Sequence, residues 1–279
     1  SSTEAVQSIA AFLPKIVEGN LTTAFALEEG SRHAPCNIAT KAKKEGNSFV
    51  LNGEKTFVLD GHSAEKIIVA ARTNGGNDQK LGITLFCIDS GTPGMEITRL
   101  SMLDSRNVAE IKLKNVNISS DCLLGKLDNG FSIIEEVLDR AQIGMSAEML
   151  GNATQAFEIT LNYLKERKQF GSLIGSFQAL KHRAAIMYSE LELTKSAVVG
   201  ALNAVDEKSN DRTRFASLAK FKAGETLHLV SNESVQMHGG VGVTDEYDIG
   251  FFMKRSRVAQ QIFGSADYHI DRYATLSEY

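Results

Sequence analysis

Apolar residues in this chain keep two rhythms, and the change between them divides it. From Leu21 to Leu124 they come in short alternating runs of the kind that half-buried strands need. These runs predict strands at 48–51, 54–59, 67–72, 83–89, 95–100 and 108–113, with a last one near 116–118. Asn52-Gly53 falls between the first two and predicts a two-residue type I′ hairpin there. Clusters of turn-forming residues at 74–77, 90–93 and 104–107 separate the others. Short strands with no helices between them predict an antiparallel barrel or sandwich, not a doubly wound parallel sheet.

Beyond Asp128-Asn-Gly130 the spacing becomes three and four. Ile134, Leu138, Ala141, Met145, Met149, Ala153, Phe157, Leu161 and Leu164 form one stripe, and Phe177, Leu180, Ala184, Met187, Leu191, Val198, Leu202 and Val205 a second. Phe215, Ala219, Ala223, Leu227 and Val230 form a third, and shorter helices are expected at 249–262 and 267–276. Each stripe puts its apolar side chains on one helix face, which predicts an antiparallel four-helix bundle with accessory helices. At the other end, 1–18 reads as one short helix interrupted by Pro14 and closed by Gly19-Asn20. The expected organisation is α+β: a helical piece over 1–20, a β-domain over 21–125 and a helical domain over 126–279.

Composition narrows the class. A chain of 279 residues with 43% hydrophobic and 23% charged residues is an ordinary globular protein. A net charge of −4 gives no support for a nucleic-acid or anionic-membrane partner. Cys36, Cys87 and Cys122 are odd in number and widely spaced, which suggests a reducing compartment and no structural metal. With no membrane-length apolar run and no secretory pattern, the expectation is a soluble, cytoplasmic protein without membrane insertion.

The chemistry narrows first by elimination. No GxGxxG follows a strand, no GxSxG is present, and His33, His62 and His269 lack metal-ligand spacing. His238, ahead of two glycines at a helix end, is a plausible ligand contact. The connection between the first two long helices, Arg167-Lys-Gln-Phe-Gly-Ser-Leu-Ile-Gly-Ser-Phe-Gln178, sets an arginine beside an aromatic residue and two glycines. That pairing suits an anionic, aromatic ligand, although a basic helix terminus accounts for Arg167 and Lys168 more simply.

Taken together, Glu166-Arg-Lys-Gln-Phe-Gly171 with Phe177-Gln178, and Gln236-Met-His-Gly-Gly-Val-Gly242, resemble the acyl-CoA dehydrogenase family of flavoproteins. The likeness extends to Phe25-Ala-Leu-Glu-Glu29, Asn52-Gly-Glu-Lys-Thr-Phe-Val58 and Val69-Ala-Ala-Arg72, and so covers essentially the whole chain. It implies an N-terminal helical domain, here largely missing with 1–20 as its remnant, then a middle β-domain and a C-terminal four-helix bundle. It also implies FAD as cofactor. Arg167 matches the residue that meets the pyrophosphate through a planar charged fork. Phe170 matches an aromatic position near the adenosine half, and Gln178 a cofactor-binding position. Gln236, Gly239 and Gly240 match a segment that approaches the cofactor closely, as bare backbone can. Phe25 and Leu27, with Phe57 and Leu59, match the flavin-facing segments of the β-domain, and Phe57 reads equally well as a strand core residue.

The implied reaction removes an α-proton from an acyl-CoA thioester while a β-hydride passes to the flavin. An electron-transfer flavoprotein or similar acceptor would follow, in fatty acid or lipid metabolism. The implied assembly is a dimer of dimers, homo- or hetero-oligomeric, with the ADP site completed across subunits. Two departures matter. Glu28 and Leu59 stand where the family usually places threonine hydroxyls. The two positions of the family's catalytic glutamate read Gly264 and Ala141, leaving Asp267 as a fallback one helical turn away. Asp139 reads as a substrate-binding or structural carboxylate. The phrases Val137-Leu-Asp-Arg140 and Ile262-Phe-Gly-Ser-Ala-Asp267 resemble the small-subunit group of bacterial family members, including the pimeloyl-CoA kind, whose partner would supply the missing base. On this basis the chain alone is expected to be nearly inactive, and Gly264→Glu is expected to restore a carboxylate.

Overall fold

In the computed structural model, which describes residues 12–279, a short helix α1 (Leu13–Val17) opens the described chain. Pro14 sits in its first turn, where a missing N–H costs nothing. Gly19, at φ 74°, ends it. The part of the expected helix before Phe12 lies outside the described residues.

Eight strands form one sheet: β1 (Thr23–Ala26), β2 (Lys41–Glu45), β3 (Ser48–Leu59), β4 (Lys66–Arg72), β5 (Ile83–Asp89), β6 (Met95–Ser101), β7 (Asn107–Ser119) and β8 (Leu123–Leu124). Their order is β6-β7-β3-β2-β4-β5-β8, with β1 beside β4. Two features of the expected barrel are corrected. The sheet does not close, and it is mixed, because β1 and β2 both run parallel to β4. The loop between β1 and β2 returns the chain to the same edge of β4. Arg72 ties that loop to the one between β4 and β5 through its guanidinium, which donates to the carbonyl of Cys36 and to those of Asn77, Gln79 and Leu81 at 2.7–3.0 Å.

The expected hairpin at Asn52-Gly53 is also corrected: β3 runs straight through it. The tight turn is Gly46-Asn47, where Glu45 pairs with Ser48 and Gly46 takes φ 61°. Gly-Asn is a hairpin signal of the same kind, but the lysine-rich β2 before it lacks the apolar alternation of a strand. Gly53 is needed for space, since a Cβ there would lie 2.6 Å from Thr40 Cα. Asn52 accepts the Asn115 amide at 2.9 Å, beside a bulge where β7 carries an extra residue. The strands expected at 108–113 and 116–118 are therefore one bent strand. On one face of the sheet Phe49, Leu51, Ile67, Val69, Phe86, Ile88, Ile111 and Leu113 make the core, with Phe49 and Phe86 rings tilted 5.0 Å apart.

The helices match the stripes. They are α2 (Phe131–Glu166), α3 (Gln178–Asp206), α4 (Arg212–His238), α5 (Ile249–Ala259) and α6 (Ala266–Leu276). The chain divides into two compact units between Glu136 and Val137, inside α2. Within the second unit Ile143, Val198, Ala201, Ala216 and Ala219 pack α2, α3 and α4 together. The alanines let the helices approach, and α5 and α6 then pack on α4.

Candidate functional site

α2 stops at Glu166 because the next residues form a two-residue hairpin, Lys168–Gln169 against Ser172–Leu173. Its turn is Phe170-Gly171, both in the left-handed region at φ 54° and 76°. Glycine accepts that conformation readily, but a phenylalanine there is strained. The phenyl ring is nevertheless 90% exposed, edge-on to Phe177 with centroids 6.4 Å apart. Ile174 is buried below, and Gly175 lies so close to α2 that a Cβ would meet the Leu164 carbonyl at 2.6 Å. The hairpin is thus anchored from beneath and presents Arg167, Phe170 and Gln178 to solvent. The strained turn therefore holds an exposed aromatic ring near the exposed Arg167 on an anchored base.

A second segment of the same unit follows α4. Gly239, at φ 65° and ψ −143°, ends the helix and starts a short 3₁₀ turn, Gly239–Val243. A Cβ added at Gly239 or Gly240 would meet nothing within 4 Å, so both backbones face open space. Gln236 is exposed in the last turn before them. Gly242 differs, since a Cβ there would lie 2.6 Å from the Val235 carbonyl. His238, which its sequence position makes a plausible ligand contact, packs inside the helical unit. It is buried, stacks on Tyr163 with centroids 4.3 Å apart, and has Nδ1 2.7 Å from the Ser234 carbonyl. Burial lowers its pKa, which keeps the imidazole neutral at pH 7.

In the sheet unit, Phe57 sits at the extra residues of a bulge between Lys55 and Val58, at φ 51°. It is half-buried, on a bulge that interrupts the regular pairing of β3. Leu59 and Phe25 are also half-buried, whereas Leu27 is buried and its carbonyl accepts from Lys55 at 3.0 Å. Leu27 is a packing position. Glu28 does not project an unpaired charge, because His33 Nδ1 pairs with its carboxylate.

Two buried lysines escaped the sequence reading. Lys55 lies at a buried phase of β3 and reaches Glu29 at 2.6 Å. Burial pushes it down to about 8 against the pull of Glu29. Burial alone would raise the Glu29 carboxyl, but Lys55 and bonds from Thr40 and Ala39 hold it below its ordinary value. Lys220, in α4, donates to the carbonyls of Ala259, Gln260 and Gly264 at 3.1–3.3 Å, with no carboxylate among these partners. Burial pushes it down to about 7. The signal for both was a lysine at a buried phase of its element's pattern.

One of the expected carboxylate positions, Gly264, gives its carbonyl to that second lysine. Phe263 and Gly264 take φ 58° and 111°. Gln142 Nε2 donates to the Phe263 carbonyl at 3.2 Å, and His269 Nε2 lies 3.1 Å from the same oxygen. A Cβ on Gly264 would lie 2.6 Å from the Tyr268 ring and 2.8 Å from His269 Nε2. The expectation that Gly264→Glu would restore a base is therefore corrected: the backbone and its neighbours refuse a side chain. Ala141 is a half-buried helical residue whose backbone accepts one. Asp267 is exposed in the first turn of α6. Asp139 is fully buried, held by Arg212 at 3.2 Å, Arg272 at 2.9 Å and the Thr213 hydroxyl at 2.7 Å. Those bonds engage both its oxygens, so it ties α2 to α4 and α6. Among the described residues no cluster of metal-ligating side chains occurs, and no helix is long and apolar enough to cross a membrane.

Residues 24–116 match the acyl-CoA dehydrogenase middle domain, and residues 128–275 match the acyl-CoA dehydrogenase C-terminal domain. The chain is 30% identical to the rat mitochondrial short/branched chain specific acyl-CoA dehydrogenase over 95% of its own length, and spans 62% of that relative. It is 32% identical to the caffeyl-CoA reductase-Etf complex subunit CarC of Acetobacterium woodii, over 90% of this chain and 67% of that one. The structure of butyryl-CoA dehydrogenase from Megasphaera elsdenii superposes with a TM-score of 0.90 at 28% identity, covering 96% of this chain and 71% of the other.

Proposed function

The chain belongs to the acyl-CoA dehydrogenase family, and from that premise we propose that it is a subunit of an oligomeric enzyme working between an acyl-CoA thioester and its α,β-unsaturated partner. FAD is the cofactor the family indicates. When bound, it supplies the acceptor for the β-hydride. The observation that carries the reading is the strained, exposed Phe170 beside Arg167 on an anchored hairpin. Arg167 would grip a pyrophosphate with its planar fork, and Phe170 and Gln178 would flank the adenosine end. Gly239 and Gly240 bring bare backbone, and Gln236 its amide, to the same group. Phe25, Phe57 and Leu59 are assigned to the isoalloxazine end, over a middle domain at 21–125 that precedes a helical domain at 126–279.

A second reading concerns who removes the proton. A glycine locked at φ 111° with no space for a Cβ favours a base-deficient subunit whose partner chain brings the carboxylate. The relative named as part of an Etf complex supports an electron-transfer flavoprotein as redox partner. Exposed Ile186, Leu193, Val199 and Leu202 on α3 support a dimer of dimers, homo- or heteromeric, built on the bundle helices. Three free thiols fit a cytoplasmic setting.

The test is acyl-CoA-dependent dye reduction by the full-length, FAD-loaded protein, alone and mixed with candidate partner subunits. The expected result is little turnover alone and restoration by a partner. Ala141→Glu, at a backbone that accepts a side chain, should raise the lone chain's rate by about two orders of magnitude, the usual weight of a general base. Robust turnover by the unmodified chain, lost in Asp267→Asn, would make Asp267 the base and overturn the second reading.

A further inference from the structure

The cysteines take no part in the site described above, yet two of them share a place in the sheet. β5 pairs with β8 in antiparallel register, Leu85 with Leu124 and Phe86 with Leu123. Continued one step past the paired residues, that register would set Cys87 opposite Cys122, which closes the 3₁₀ turn Ser120–Cys122 directly before β8. Residues facing each other across an antiparallel pair have Cα atoms about 4.5–5.5 Å apart. A disulfide accepts about 4.4–6.8 Å. Both are free thiols and both are half-buried. Lys66 and Asp89, paired at 2.7 Å, act electrostatically on each of the two thiols, and the Cys122 sulfur acts on that of Cys87. The two sulfurs and this ion pair therefore form one cluster.

We propose that Cys87 and Cys122 are a redox-active pair that closes into a cross-strand disulfide, a reversible modification site in the sheet unit. The oxidant is a low-molecular-weight disulfide. One cysteine loses its proton, attacks a sulfur of that disulfide and displaces one small thiolate. The second cysteine, deprotonated in turn, attacks the mixed disulfide and displaces the other. Two protein thiols are oxidised to one S–S bond, and the small disulfide is reduced to two thiols. Burial raises both cysteine pKa values, while the Lys66 ammonium opposes the rise. The reaction is accordingly slow at neutral pH and quickens as the solution becomes alkaline. Closure would tie β8 to β5 immediately ahead of the segment that the Gly82 amide and the Thr73 hydroxyl hold through Asp128.

Oxidised glutathione is the probe, applied to the native full-length protein at pH 8.5 and followed by intact mass after blocking residual thiols. The expected product has lost two hydrogens and joins the Cys87 and Cys122 peptides, and dithiothreitol reverses it. Cys87→Ser and Cys122→Ser should each abolish that product, whereas Cys36→Ser should retain it. Stable glutathione adducts on Cys87 or Cys122 without closure would overturn the proposal. So would a disulfide that includes Cys36, or thiols that remain untouched while the protein is folded.

Discussion

Replacing Lys220 by methionine should remove one pH-dependent contribution to the protein's stability, and the size of the change follows from the lysine's surroundings. Lys220 is 2% exposed and bonds only to backbone carbonyls, so desolvation acts on it without a compensating anion. Its folded-state value is about 7, against an ordinary value of about 10.4 in the unfolded chain. Below pH 7 both states hold the proton, and pH has no leverage through this group. Between about 7 and 10.4 the unfolded chain keeps the proton while the folded one gives it up, so wild-type stability rises with pH. Integrated from pH 7 to pH 9, the rise is about 2 kcal/mol. Methionine cannot titrate, so the variant should lose ground to wild type by that amount over those two units. Every other titrating group, Lys55 included, cancels in the difference. The assay is urea unfolding followed by tyrosine fluorescence. The sequence has six tyrosines and no tryptophan, and Tyr163, Tyr188, Tyr247, Tyr268, Tyr273 and Tyr279 all belong to the helical unit. A wild-type-minus-variant difference constant within about 0.5 kcal/mol would mean that Lys220 keeps its charge throughout, and the reasoning would be wrong.

Arg167→Ala should weaken FAD binding by about 1.5–3 kcal/mol, the worth of a bond to a charged group, with Lys168→Ala nearly silent. Flavin titration of the apoprotein reads both, and equal affinity of wild type and Arg167→Ala would remove Arg167 from the site. Asp139→Asn should lower stability by about 3–5 kcal/mol because two arginines lose their buried partner. A KM change without a fall in melting temperature would return Asp139 to substrate binding. Gly264→Glu should cost about 1–3 kcal/mol of backbone strain and yield no new activity; a well-folded, more active variant would show that the segment can rearrange.

The helices were legible because amphipathic spacing over 27–36 residues leaves little choice of ends. Arg212 and His238 bound α4 within a few residues of where its stripe suggests. The sheet was legible as strands and misread as pairing. Asn52-Gly53 has the chemistry of a turn, but the contact that demands Gly53 comes from Thr40, a partner no local pattern names. β2 was missed altogether, since three lysines in five residues hide a strand whose Ala42 alone is buried. In the candidate site, motif likeness singles out Arg167, Phe170, Gly239 and Gly240, and the structure leaves all four exposed at the surface of the helical unit. Lys220, Arg72 and the Glu28–His33 pair were not. Each gains its role from oxygens or charges brought by distant segments, which a one-dimensional pattern does not contain.

The register of β3 has a consequence for how the chain is made. Ser48 pairs with Ser119 and Leu59 with Val108, so β3 leaves the ribosome well before its partner exists. At about 5–20 residues per second, the wait for Ser119 is roughly 4–14 s. Throughout it, one long edge of β3 has no strand beside it, and such an edge is a template for a neighbouring nascent chain. The same ladder closes late in refolding, because pairing over so long a separation needs a large loop to be ordered first. Yield from overexpression should therefore respond to translation speed and temperature more through β7 than through any helix.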